Sequence, residues 1–369
     1  MRAVRRLLLV LLVALAAAPA ASAGIGNDAA KSFGRGLFLA SPGGVVQTAA
    51  RVSSWHRLAV RATRGTGISP RMLEGMIFVE SSGRSRVVGR GGHRGLTQLS
   101  TKRMRPAAEL RATVRRLERA RRALGRLDLA VASYHLGVPR LRHAQSYASF
   151  YFRTSEQGPQ VDYYWKVLAA ERVLRMYRHD RGALRYEQHL QFKKNSAEEV
   201  LHSRRSTPQF RTPSAIARAL RLRYLVHVPL DTKRTHIRVR VGDLAPVLGR
   251  SRRLYASLRP QAVDILLYLS HHVPGRSLVL TSAVRDDRYQ RLLTTVNPVA
   301  TKAYSMHTTG YAFDIRRSFS SGAQKRAFFR LLAKLQAVNA IAYIPEFAAM
   351  HIAVASDAPA KLALLRRLQ

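Results

Sequence analysis

The sequence predicts an α+β protein built in two parts: an all-helical N-terminal domain over residues 48–180 and a mixed α+β domain over residues 230–369. Three observations predict it. Apolar residues recur at helical spacing between Thr48 and Asp180, and short strand-like runs alternate with helical stretches after Pro229. Between them, Arg204-Arg205-Ser206-Thr207-Pro208 through Pro213 has the composition of a connection, so residues 181–229 are read as a linker region.

In chain order, Ser69-Pro70 ahead of Met72, Leu73, Met76 and Ile77 gives a helix start, with serine as cap and proline in the first turn. Glu80 falls near the end of that helix, before Gly83 and the Gly89 to Gly92 cluster break the chain. Leu110, Val114, Leu117, Leu124 and Leu127 lie on one face of a helix whose other face is basic. In the second part, Thr235 to Val241 alternates as a short strand and Arg259 to His271 is helical. Ser277 to Ala283, Ala312 to Ile315 and His351 to Val354 read as strands, with a helix over Ala323 to Ala337 between the last two. Cysteine is absent, so both parts must be held by ordinary apolar cores.

Arg2, Arg5 and Arg6 precede an apolar run from Leu7 to Ala18, then Pro19 and Ala21-Ser22-Ala23. This is the pattern of a cleaved signal peptide over residues 1–23, and it predicts a secreted or periplasmic protein of the cell envelope. The formal charge of +42 falls to +39 without the three signal arginines; spread along the chain, it reads either as the mark of an anionic partner or as an arginine-for-lysine bias on solvated faces. Export makes nucleic acid an unexpected partner. Wall carboxylates, phosphate-bearing wall polymers and lipid head groups are the anions found outside the cytoplasm.

Cleaving a glycosidic bond needs a carboxylic acid held in an apolar pocket that keeps it protonated near neutrality. Glu80 follows Met76, Ile77, Phe78 and Val79 and fits that need. Most glycosidases pair two carboxylates, but Glu74, six residues back, projects from nearly the opposite face of the helix. Glu80-Ser81, then Gly95-Leu96-Thr97-Gln98-Leu99, then Ala130-Val131-Ala132-Ser133-Tyr134-His135-Leu136-Gly137 together resemble the soluble lytic transglycosylase family. The family's methionine is replaced by Thr97, and the asparagine beside its tyrosine by His135. The resemblance spans roughly residues 60 to 175 and implies a lysozyme-like helical fold that needs no cofactor. It implies Glu80 as the one catalytic residue, with Ser81, Gln98, Tyr134 and His135 binding substrate. It also implies peptidoglycan as substrate and a non-hydrolytic reaction. Glu80 protonates the bond between N-acetylmuramic acid and N-acetylglucosamine, then takes the proton of the muramoyl 6-hydroxyl as a 1,6-anhydro ring closes.

The second motif is Ser305-Met306-His307-Thr308-Thr309-Gly310-Tyr311-Ala312-Phe313-Asp314. A catalytic zinc takes three protein ligands and keeps an open position. His307 and Asp314 could supply two if the chain turns at Gly310, and His351 could supply the third. The pattern resembles the zinc D-alanyl-D-alanine peptidases of the lysostaphin, carboxypeptidase and hedgehog-like group, over roughly residues 255 to 356, with Thr281-Ser282-Ala283-Val284-Arg285 as that group's strand ending in arginine. The group's general-base glutamate stands three residues before the final histidine, where this chain has Ala348. Glu346 is the nearest carboxylate and could serve if Phe347 to Met350 bend. Arg285 has two readings: it grips a substrate carboxylate or carbonyl, or it pairs with Asp286 or Asp287 at the surface. A wall-binding module without peptidase activity is the rival reading of this second domain.

Overall fold

The computed structural model describes residues 26–154, 160–192, 201–202, 207–297, 300, 304–346 and 348–368. The signal segment read from the sequence lies outside them. None of the described helices is long and apolar enough to cross a membrane. The chain is mixed α+β and divides into two compact units that part between Phe192 and Lys193.

The first unit is helical: α1 (26–40), α2 (Val45–Ser53), α3 (His56–Thr63), α4 (Pro70–Ser81), α5 (Pro106–Leu124), α6 (Leu127–Leu136), α7 (Val138–Leu141), α8 (Tyr147–Arg153), α9 (Tyr163–His179) and α10 (Arg181–Phe192). Helix α4 forms where the caps call for it. The Ser69 hydroxyl accepts from the Met72 amide at 3.1 Å, and Pro70 occupies the first turn, where its missing N–H costs nothing. From Met72 to Phe78 every residue of α4 is buried, so this helix is the axis of the core rather than an amphipathic wall. Gly75 permits the close approach of α9, since a Cβ there would lie 2.9 Å from the Val167 carbonyl oxygen. Glu74, six residues before Glu80 on α4, is fully buried, with Oε1 2.5 Å from the Arg178 guanidinium and 3.0 Å from His56 Nδ1.

The helix read through Leu127 is two helices. Gly125, at φ 73°, closes α5 in the left-handed conformation, and Leu127 opens α6. The region read as a linker is also largely built into the units. Leu184 of α10 is fully buried, and Arg172 of α9 holds Glu187 of α10 in a two-pronged ion pair at 2.8 and 2.6 Å. Helix α11 (Pro213–Arg221), capped by Thr212, places Ile216 and Ala219 in a core with Phe210, Leu225, Tyr255 and Val284 of the second unit.

That second unit holds strands β1 (Val226–His227), β2 (Ile237–Val239), β3 (Ser257–Leu258), β4 (Leu278–Ser282), β5 (Ala312–Arg316), β6 (Ile341–Pro345) and β7 (Ala349–Val354). Strands β1 and β3 pair by themselves, and the rest form one sheet in the order β2-β4-β5-β7-β6. Only β2 and β4 run parallel in it. Helices α12 (Thr232–Thr235), α13 (Arg252–Tyr255), α14 (Pro260–His272), α15 (Asp287–Val296), α16 (Gly322–Ala337) and α17 (Ala358–Leu368) complete the order. The strand expected from Thr235 starts later, because Asp231 caps the turn of helix at Thr232–Thr235 and His236, at φ 53°, reverses the chain. Strand β6 has no counterpart in the sequence reading. Ala342 and Pro345 are poor strand formers, and an edge position tolerates them because among the described residues only β7 pairs with the strand.

Candidate functional sites

Glu80 is the next-to-last residue of α4, and its side chain is 10 % exposed. Its Oε1 lies 2.9 Å from Nε2 of His135, which α6 brings to the end of α4 from 55 positions along the chain. The His135 ring stacks on Tyr163 of α9, with centroids 4.1 Å apart. Tyr163 is buried, and its phenol is pushed well above its ordinary value by that burial and by the Glu80 charge. The surroundings of Glu80 are therefore aromatic and imidazole rather than the plain apolar pocket the sequence suggests.

The loop beneath the acid is fixed by a carboxylate that sequence reasoning missed. Glu109, buried in the first turn of α5, accepts from the Leu96 amide at 2.9 Å, the Thr97 amide at 2.7 Å and the Thr97 hydroxyl at 2.9 Å. Gly95 sits at φ 95°, and a Cβ there would meet Glu109 Oε2 at 2.3 Å, so only glycine fits. A glutamate one turn into a helix after proline is ordinary in sequence, which is why nothing marked it. Glu109→Ala is expected to destabilise the first unit by about 3 kcal/mol, because two buried amides and a buried hydroxyl lose their acceptor. A lower urea midpoint at unchanged slope would register it. An unmoved midpoint would mean that water satisfies the loop.

Of the residues read as substrate-binding, only His135 meets Glu80. Ser81 is 2 % exposed, and its hydroxyl donates to the Ile77 carbonyl inside its own helix. The Gln98 side-chain amide donates to Gly95 O at 2.8 Å and Val87 O at 3.3 Å, bracing its own loop. Tyr134 donates its hydroxyl to Thr97 O at 2.9 Å, while Arg116 covers its ring at 4.6 Å. Burial, then the charge of Glu80, pushes that phenol up to about 12. These three brace the backbone of α4 and of the loop from Val87 to Thr97, whose carbonyls require partners.

In the second unit the register of the sheet makes the site. Asp314 of β5 and His351 of β7 are directly opposite one another, which fixes their side chains on one face. His307 reaches them from a short 3-10 turn (Met306–Thr309) that ends at Gly310, φ 75°. A Cβ on Gly310 would also lie 2.7 Å from Leu225 Cδ2, so both backbone and packing require glycine there. His351 Nδ1 lies 2.7 Å from Asp314 Oδ1, His307 Nε2 lies 3.2 Å from the same oxygen, and the two nitrogens are 3.1 Å apart. All three residues are buried, and their ligand atoms lie within 4.8 Å of one another, so the group could hold a metal ion.

Their partners suit that task. His307 turns Nδ1 to the Ala283 carbonyl at 2.7 Å; donating there leaves the Nε2 lone pair facing the cluster. Burial, then Arg285, holds the imidazole below its ordinary value. Burial would raise the Asp314 carboxyl, but the contacts from His307 and His351 outweigh it and hold it well below the usual carboxylate range. Arg285 donates to Asp314 Oδ2 at 3.3 Å, to Gln290 Oε1 at 3.1 Å and to the Ser282 hydroxyl at 2.7 Å. It does not pair with Asp286, which instead caps α15 and accepts from Tyr255. The surface-pair reading of Arg285 therefore gives way.

Glu346 stands apart from the cluster's interior. It is exposed at the end of β6, where its amide donates to Ala349 O at 2.9 Å and its carbonyl accepts from Arg317. Its charge is still felt by Arg285. Phe347, part of the bend invoked for it, lies outside the described residues. No protein-family model, curated protein or solved structure matches the chain.

Proposed function

We propose that the chain is an exported peptidoglycan-remodelling enzyme, with a lytic transglycosylase site in the helical, lysozyme-like first unit and a zinc D,D-peptidase-like site in the second. The observation that carries this reading is that both motifs close in space: Glu80 meets His135 across 55 positions, and His307, Asp314 and His351 converge across 44. At the first site Glu80 delivers a proton to the leaving oxygen, and His135 at 2.9 Å steadies the carboxylate left behind until it takes the proton of the muramoyl 6-hydroxyl. No partner carboxylate is needed, because the substrate supplies its own nucleophile.

Zinc suits the two imidazoles and one carboxylate of the second site, and when bound it would supply a Lewis acid there. Ala283 fixes the His307 tautomer. Ser282, Gln290 and Asp314 orient Arg285, whose planar guanidinium faces the cluster as a donor for a substrate carbonyl or carboxylate. Glu346 is the general base offered by the hairpin end. Its exposure there favours a second reading, in which this unit grips the wall without cutting it. The charge of +42 suits either reading, since peptidoglycan carboxylates, anionic wall polymers and lipid head groups are all negative.

The test is a digest of purified peptidoglycan resolved by mass spectrometry. Anhydro-muropeptides with cut stem peptides are the expected products of two active sites. Anhydro ends alone would make the second unit a binding module, and neither product would refute the enzyme reading.

A further inference from the structure

A cavity of about 630 Å³ in the second unit adjoins the His–Asp–His cluster without being part of it. Its wall includes Arg240 just past β2, Arg252 and Arg253 of α13, and Arg316 at the end of β5, against the single carboxylate of Asp243. That carboxylate holds Arg252 only loosely, at 3.8 Å. Among the described residues no ion pair engages Arg240, Arg253 or Arg316. Like charges are costly to gather around one hollow, and a ligand of opposite charge removes the cost.

The cavity is tied to the cluster by covalent neighbours. Thr281 lines it, donates to the Asp314 carbonyl at 3.3 Å and precedes Ser282, which holds Arg285. Arg316 follows Asp314 by two residues on β5, so it leaves the sheet on the same face, about 7 Å along the strand. A molecule bound at the cluster therefore has a cationic hollow about two extended residues away. The volume suits one or two residues rather than a polymer track.

We propose that this cavity is an anion subsite of the second site, taking the side-chain carboxylate of an acidic peptide whose backbone crosses the His307–Asp314–His351 cluster. The inference rests on the peptide-binding reading of that unit. Arginine suits the role because its planar fork pairs with both oxygens of a carboxylate.

The test is a calorimetric titration of the full, zinc-loaded chain with the tripeptide Ala-Glu-Ala and its amide counterpart Ala-Gln-Ala. The acid is expected to bind roughly tenfold tighter at low salt, and Arg240→Gln with Arg316→Gln to abolish the preference. Both arginines are exposed, so the change leaves the core intact, and unchanged zinc content would verify it. Equal binding of acid and amide by the wild type overturns the proposal, as does a preference that survives the double change. Displacement of the tripeptide by glycerol phosphate at lower concentration than by Ala-Glu-Ala itself would also overturn it, in favour of a phosphate ligand. A chain that prefers the acid but cuts no peptide keeps the subsite and loses the peptidase reading. A chain that cuts peptide with no preference does the reverse.

Discussion

Glu80→Gln is expected to lower the release of anhydro-muropeptides from purified peptidoglycan by roughly a hundredfold to ten-thousandfold, the range of general acid–base contributions. The amide matches the carboxyl in shape and can still meet His135, now 2.9 Å away, so folding and wall binding should survive. What it lacks is a proton to give. The measurement is the rate of anhydro-sugar formation by mass spectrometry, with sedimentation on insoluble peptidoglycan as the binding control. Half the wild-type rate in the variant would remove Glu80 from the mechanism. Free reducing ends in the wild-type digest would instead mean that water attacks, and the single-carboxylate scheme would fall.

The second large effect concerns metal. Full-length protein expressed with added zinc is expected to carry one ion per chain, and His307→Ala, Asp314→Ala or His351→Ala should each lose it by elemental analysis. Asp314→Ala should also cost the most stability of the three. Among the described residues Asp314 is the carboxylate that pairs with the half-buried Arg285, at 3.3 Å, so its loss leaves that guanidinium poorly compensated. Glu346→Ala then separates the two readings of the unit: zinc kept and peptide cleavage lost makes Glu346 the base. A wild type free of metal after zinc supplementation would sink the zinc assignment. Cysteine is absent, so no thiolate site can account for any zinc that is found.

How much could be read from the chain alone differs between the units for physical reasons. The α4 cap, the position of Glu80 at its end and the pairing of His307 with Asp314 were legible in local spacing, whereas His351, 37 positions beyond Asp314, was brought in by the resemblance of the whole motif. Strand β6 was not: Ile341, Tyr343 and Ile344 favour a strand, but Ala342 and Pro345 interrupt the pattern within five residues, and pairing with β7 completes it. Glu109 was invisible for a related reason: its role depends on a loop that folds back from 12 and 13 positions earlier. Ser81, Gln98 and Tyr134 donate to backbone carbonyls that motif spacing alone does not reveal: Ser81 to Ile77, Gln98 to Gly95 and Val87, and Tyr134 to Thr97. The linker reading of residues 181–229 followed composition, whereas one buried leucine and a bidentate ion pair suffice to dock α10.

The opposition of Asp314 and His351 across β5 and β7 has a consequence for how the sheet itself is chosen during folding. A slip of one residue between those strands would turn one of the two side chains to the other face and leave its imidazole or carboxylate among apolar neighbours. Any cation captured by the pair therefore rewards one alignment and no other. Because the two groups are set by backbone pairing and not by loops, little chain motion remains to be arrested when the cation arrives. One register of β5 against β7 is thus the alignment that keeps both polar side chains together on one buried face.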